Sequence, residues 1–137
     1  MEFHRLQDKL TEGQFVARRH YCITAKVYHF AKKEQHKLFK KGRAACPTLA
    51  DIYYQLLIEG LKHADKVTFK NLPNDDYKVR MKIGHPVNFR LLEVLKKIKN
   101  EEFSSQRGYN KNGTLQTVNI FSVAVCLMEA AIDNQTK

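Results

Sequence analysis

The sequence predicts a mainly α-helical fold that contains one short two-stranded antiparallel ribbon. Two segments, residues 21–30 and 77–84, alternate polar and apolar side chains as half-buried strands do. Each is followed by two stretches with helical character, and a linker at residues 64–76 separates the two groups. Because a lone strand is not stable, the strand of each group is expected to pair with the other. We therefore expect an intrachain pseudo-dimer of two strand–helix–helix units.

The first unit is predicted at residues 21–63, after an N-terminal arm at residues 1–20. Its strand places alternate side chains on opposite faces. The inner face holds Ile23, Ala25 and Val27, and the outer face holds Thr24, Lys26 and Tyr28. A helix at 31–41 follows and stops before Gly42, and Thr48 is the predicted N-cap of a second helix at 49–63.

The second unit is predicted at residues 77–133, so that residues 21–133 form one compact domain. In its strand, Val79, Met81 and Ile83 face inward, and Lys78, Arg80 and Lys82 face outward. Pro86 lies where a helix begins, and a polar loop separates that helix from an apolar one at 117–132. A shift of 56 residues superposes the patterns of the two strands, which indicates an internal duplication.

The chain is strongly basic, and this favours an anionic partner. Its 137 residues include 24 Lys and Arg against 14 Asp and Glu, a net charge of +10. Nucleic acid is the first expectation. The three cysteines, Cys22, Cys46 and Cys126, form no CxxC pair, so we expect neither a zinc site nor disulfides. We also expect no signal peptide and no membrane span, and hence a cytoplasmic protein.

Enzymatic chemistry is not indicated by any motif in the sequence. There is no HExxH or HxH cluster for a metal and no Gly-rich loop for phosphates. No Ser or Cys belongs to a sequence motif that would make it a catalytic nucleophile with a neighbouring base. We expect no catalytic residues, no metal and no cofactor.

The two strand–helix–helix patterns resemble the ribbon-helix-helix proteins of the Arc/MetJ type. The resemblance covers residues 21–132 and is to single-chain tandem versions found among accessory proteins of conjugative plasmid and T-DNA transfer. It implies two ribbon-helix-helix units and a ribbon that enters the major groove of double-stranded DNA. Because the two halves differ in sequence, it also implies an asymmetric site and a chain that acts as a monomer, with cooperation between copies on DNA left open.

The resemblance also implies which residues contact DNA. Base contacts fall on Thr24, Lys26, Tyr28, Lys78, Arg80 and Lys82. The family pattern includes the position of Gly84 as well; a glycine has no side chain to contact a base, which gives Lys78 more weight. Phosphate contacts at the starts of the later helices fall on Thr48, Leu49, Thr117, Val118 and Asn119, and Arg43 adds to them.

Three functions remain open at this stage. A relaxosome-type accessory factor, which would bind near a transfer origin and work with a nicking enzyme, is the function that the resemblance favours. A plasmid- or phage-type transcriptional repressor would use the same surface. A protein-interaction adaptor would instead use the N-terminal arm and the loop at 99–115, and its outward cations would only keep a strand edge from aggregating.

Overall fold

Four α-helices account for about half of the residues that the structure describes. The structure is a computed structural model and describes residues 1–40, 46–72, 77–106, 108–109, 112–113, 115–116 and 118–135. The helices are α1 (Ala25–Phe39), α2 (Leu49–Leu61), α3 (His85–Lys99) and α4 (Ile120–Gln135). Within the described residues the strands are β1 (Phe15–Ile23), β2 (Phe69–Lys70), β3 (Tyr77–Gly84), β4 (Ser105–Gln106), β5 (Gly108–Tyr109) and β6 (Leu115–Gln116).

The strands form three separate pairs, and the predicted fold class is therefore wrong. β1 pairs with β3 antiparallel, β2 with β4 parallel, and β5 with β6 antiparallel. A single two-stranded ribbon carried by two ribbon-helix-helix units does not contain the last two pairs. The β2–β4 pair forms where the segments that follow α2 and α3 pack together: the backbone N–H of Phe69 donates to the carbonyl of Ser104 at 2.9 Å, and the Phe69 ring stacks on Phe103. The β5–β6 pair lies within the segment between α3 and α4.

The first predicted strand, at 21–30, is also wrong. β1 ends at Ile23, and α1 begins at Ala25. Thr24 is the N-cap of α1, because its side-chain oxygen accepts a hydrogen bond from the backbone N–H of Val27. Val27 and Ala31, one helical turn apart, are both buried. The apolar residues that looked like an alternating strand are therefore the start of an amphipathic helix.

The second half agrees more closely with the sequence. β3 covers the predicted residues 77–84; Met81 and Ile83 are buried on its inner side, and Val79 is half-buried. Its partner is antiparallel, with Tyr77 opposite Ile23 and Gly84 opposite Phe15. In the first half, α2 also begins after Thr48 as predicted, and Thr48 and Asp51 form a capping box.

The core lies between the apolar helices α2 and α4 and the inner face of the β1–β3 ribbon. Every residue from Ser122 to Met128 is buried, as are Ile52, Leu56 and Leu57 of α2. Gly60 allows the two helices to approach closely, because a Cβ atom at this position would lie 2.2 Å from the carbonyl oxygen of Leu127.

The N-terminal segment at residues 1–14, which we name the strap, packs on α2 and β3. Phe3 belongs to the core and meets Phe30 edge to face, with ring centroids 6.1 Å apart. A single turn of 3-10 helix at Gln7–Lys9 places Gln7 next to Lys82. The strap therefore covers one end of the β1–β3 ribbon.

Candidate nucleic-acid interface

The outer side of the β1–β3 ribbon carries a short row of polar and basic side chains, which we name the ribbon face. Its members are His20, Cys22, Lys78, Arg80 and Lys82. Arg80 lies opposite His20 and Lys78 opposite Cys22 in the antiparallel register. Residues directly opposite in such a pair project to the same side of the sheet. The row lies on the outer side of the ribbon because the alternate residues Tyr21, Ile23, Met81 and Ile83 are buried beneath it.

Lys78 and Arg80 are the open cations of the ribbon face. Both are exposed, and they are two residues apart on one strand, which separates their Cα atoms by about 7 Å. Among the described residues, no carboxylate lies within 4.0 Å of either, whereas Lys26, Lys37 and Lys62 each pair with a carboxylate. Neither Lys78 nor Arg80 therefore forms an ion pair with a described carboxylate, although Arg80 lines a cavity together with Asp8 and Asp51.

Lys82 shares the ribbon face but is held by the strap. Its Nζ donates to the carbonyls of Gln7 at 3.2 Å and Leu10 at 3.0 Å, and it lies 5.1 Å from the centre of the Phe15 ring. Its side chain is half-buried as a result. Of the three cations predicted on β3, two are open to a partner and the third is engaged within the protein.

The strap is held in place by the buried carboxylate of Asp51. One oxygen accepts from the backbone N–H groups of Leu6 at 2.8 Å and Gln7 at 2.7 Å; the other accepts from the backbone N–H and hydroxyl of Thr48. Burial acts to raise the pKa of Asp51, but these hydrogen bonds to the ionised form outweigh it, and the pKa lies below its ordinary value. Asp51 thereby links the strap to α2, and Gln7, one of the two residues that it holds, links the strap to the ribbon.

Thr24, Lys26 and Tyr28, predicted as base contacts, lie around the start of α1 and not on the ribbon. Lys26 pairs with Asp133 at 2.6 Å, and the hydroxyl of Thr24 lies 3.4 Å from Glu129. Tyr28 stacks on Tyr77 with ring centroids 4.2 Å apart and an interplanar angle of 17°. The strand that was expected to present these three side chains to a groove is not present.

The start of α2, where Thr48 and Leu49 were predicted to contact phosphate, is already capped from within the chain. Asp51 accepts from the backbone N–H of Thr48, and its other oxygen binds the strap, so the Thr48 N–H is not available to a phosphate oxygen. A negative charge fixed there also disfavours an incoming anion. Arg43 and Thr117, two further predicted phosphate contacts, lie outside the described residues.

The start of α4 lies next to the His20 and Cys22 side of the ribbon face. Val118 is buried, and Asn119 is exposed with its side-chain oxygen accepting from the backbone N–H of Ser122 at 2.8 Å. Asn119 and Phe121 line one side of a cavity of about 260 Å³, and His20 and Cys22 line another. The start of α2 also shares a cavity with the ribbon face, because Thr48 and Asp51 line a space of about 310 Å³ together with Arg80 and Lys82.

His20 and Cys22 were not predicted as members of this surface, because the first strand was placed too late in the chain. The signal was weak: in "FVARRHYCI", Tyr21 and Ile23 alternate with His20 and Cys22, but two arginines interrupt the pattern earlier. The strap contact carried no local signal at all, since Gln7 and Lys82 are far apart in the sequence.

The described part of the chain shows neither a metal site nor a membrane-spanning helix. No group of three or more His, Cys, Asp or Glu side chains there could hold a metal ion. None of the described helices is both long and apolar enough to cross a membrane.

Comparison with protein-family models, curated proteins and solved structures finds no significant match for the chain. We therefore infer a function from the residues of the ribbon face and from the charge around them.

Proposed function

We propose that this protein binds double-stranded DNA through the ribbon face, with Lys78 and Arg80 as its principal contacts. The observation that carries the proposal is that these two exposed cations lie side by side on a two-stranded ribbon, with no described carboxylate in ion-pair range. The net charge of +10 supplies the long-range attraction to a polyanion.

The dimensions of the ribbon favour DNA over RNA. The major groove of B-DNA is wide enough for a two-stranded ribbon, whereas the major groove of A-form RNA is too deep and narrow. An arginine in the groove donates two hydrogen bonds to the O6 and N7 atoms of guanine, and lysine contacts the same atoms. Arg80, with His20 opposite, is the residue best placed for such a contact.

The direct test is a binding titration with the double variant Lys78→Ala/Arg80→Ala. With a labelled duplex of about two helical turns, we expect at least about a tenfold rise in Kd and a shallower dependence of log Kd on log salt. Both side chains are exposed, so the unfolding midpoint should stay close to that of the wild type.

The matched control is Lys96→Ala/Lys99→Ala, which removes the same net charge from exposed positions near the end of α3. A protein that merely attracts DNA through its overall charge would respond equally to both double variants. Equal responses, or no binding by the wild type at low salt, would show that the ribbon face is not the DNA site.

Sequence specificity is the finer part of the proposal. Selection of duplexes from a random library should enrich a motif that contains guanine and that is lost with Arg80→Ala. Footprinting on the DNA around the protein's own gene then separates the two biological roles: protection at a transfer origin indicates the accessory factor, and protection at a promoter indicates the repressor.

A further inference from the structure

The outer side of α3 exposes large apolar side chains that the core does not use. Phe89 is 62% exposed and Leu92 is 48% exposed. The two are three residues apart on a helix and therefore adjacent on its surface, and Pro86, also exposed, lies one turn before Phe89. The buried side of the same helix is formed by Leu91, Val94 and Ile98, so the packing of α3 on the core does not need the exposed pair.

The same outer side becomes cationic toward the end of the helix. Lys96 lies seven residues after Phe89, which is about 10 Å along the axis and close to the same angular position. Lys97 and Lys99 follow, and among the described residues none of the three pairs with a carboxylate. Arg90 adds a fourth cation to α3, and Glu93 is its single acidic residue.

We propose that this outer side of α3 docks an acidic amphipathic segment of a partner protein. The apolar side chains of that segment would cover Phe89 and Leu92, and its carboxylates, about two helical turns away, would meet Lys96 and Lys99. Charge complementarity identifies the partner: an apolar patch that continues into a cluster of lysines fits an apolar segment that continues into a cluster of carboxylates. The inference is independent of the proposed DNA site, which lies on another surface.

Two other occupants fit this face less well. A second copy of the chain would bring four α3 cations against four, opposed by one Glu93 on each side, and like charges disfavour that contact. A membrane surface calls for an apolar face along the whole helix with cations at its margins. In α3 the exposed apolar residues are confined to the first half, and the cations of the outer side follow them.

The test is a selection of displayed peptides of about 16 residues from a random library on the purified full-length chain. We expect the enriched peptides to carry an excess of Asp and Glu together with apolar residues at helical spacing. A synthetic copy of the strongest one should bind the wild type, and Phe89→Ser/Leu92→Ser should weaken that binding by at least about tenfold. Phe39→Ser is the control, because Phe39 is a similarly exposed phenylalanine on α1.

A charge reversal completes the test. The variant Lys96→Glu/Lys99→Glu should lose the acidic peptide and gain binding of the same peptide with its acidic residues changed to lysine. The proposal is overturned if no peptide is enriched, if enriched peptides lack the acidic excess, or if the Phe89→Ser/Leu92→Ser variant binds as the wild type does. It is also overturned if those two residues instead govern binding to vesicles rich in phosphatidylserine, or self-association in sedimentation.

Discussion

The side chain of Gln7 hydrogen-bonds both backbone groups of Lys82. Its Oε1 accepts from the N–H of Lys82 at 2.6 Å, and its Nε2 donates to the carbonyl of Lys82 at 3.1 Å. An edge strand leaves such groups unpaired, and here a side-chain amide takes the place of a third strand. The same residue also receives the ammonium of Lys82 on its own carbonyl. The strap thus pairs the exposed backbone groups of this strand edge and also engages the ammonium of Lys82.

Gln7→Ala should destabilise the protein, because it leaves both backbone groups of Lys82 without a partner. Two part-buried hydrogen bonds are lost, and we expect the free energy of unfolding to fall by about 1–2 kcal/mol. Denaturant titration measures that change, and hydrogen exchange should show faster exchange of the Lys82 amide. Gln106→Ala, an exposed glutamine on β4, is the control and should change neither quantity. An unchanged exchange rate at Lys82 would show that the strap does not protect this edge in solution.

Lys82→Ala should weaken DNA binding less than Lys78→Ala or Arg80→Ala does. The ammonium of Lys82 is already engaged by two carbonyls and lies over an aromatic ring, so less of its charge is available to DNA. We expect less than about a threefold rise in Kd for Lys82→Ala and about tenfold for each of the others. Lys82→Ala should instead lower stability by about 1 kcal/mol. The opposite order of DNA affinities would mean that the strap moves away when DNA binds.

The alternation in β3 made one half of the ribbon predictable. Val79, Met81 and Ile83 alternate with three cations over a stretch that contains no helix signal, and the strand lies where that pattern places it. The start of α2 was predictable for a similar reason: Thr48 and Asp51 have the spacing of a cap, and the cap forms from neighbours in the sequence.

β1 was misplaced because two periodicities overlap at its end. Ile23, Ala25 and Val27 satisfy a period of two, but Val27 and Ala31 satisfy a helical period, and the capping hydrogen bond of Thr24 decides in favour of the helix. β2 and β4 are two residues long, and they pair where Phe69 and Phe103 pack against each other. Such contacts are tertiary, and no local pattern encodes them.

Asp51→Asn should lower the free energy of unfolding at neutral pH. It should also remove the part of the acid-induced loss of stability that comes from protonation of Asp51. The folded-state pKa of Asp51 is depressed, so its contribution is fully present above the pKa of the unfolded chain and is lost as pH falls through the folded value. We expect the wild type to lose stability below about pH 4 through this group, and the variant to be less stable by about 2–3 kcal/mol at pH 7. The difference between the two should shrink toward pH 2 in denaturant titrations.

Asp65→Asn is the matched control, because Asp65 is an exposed aspartate and the strap is held by Asp51. It should leave both the stability at pH 7 and its decline in acid close to those of the wild type. A constant gap between wild type and Asp51→Asn from pH 7 to pH 2 would mean that ionisation of Asp51 does not anchor the strap.

Gly60→Ala should be strongly destabilising, although the same change usually favours a helix. In an exposed helix interior, alanine is better than glycine by about 1 kcal/mol. At position 60, however, the new Cβ would lie 2.2 Å from the Leu127 carbonyl oxygen and 2.7 Å from its carbonyl carbon, so the backbone of α4 itself must move. Because α2 and α4 form the centre of the core, that shift disturbs the packing of both helices, and we expect the free energy of unfolding to fall by about 2–3 kcal/mol.

Gly13→Ala provides the comparison. Gly13 has a φ of +89° and nothing within 4 Å of the added atom, so only backbone strain of about 1 kcal/mol should result. Equal losses for the two variants in denaturant titrations would mean that α2 and α4 can separate at little cost, and the close contact at Gly60 would then not set their spacing.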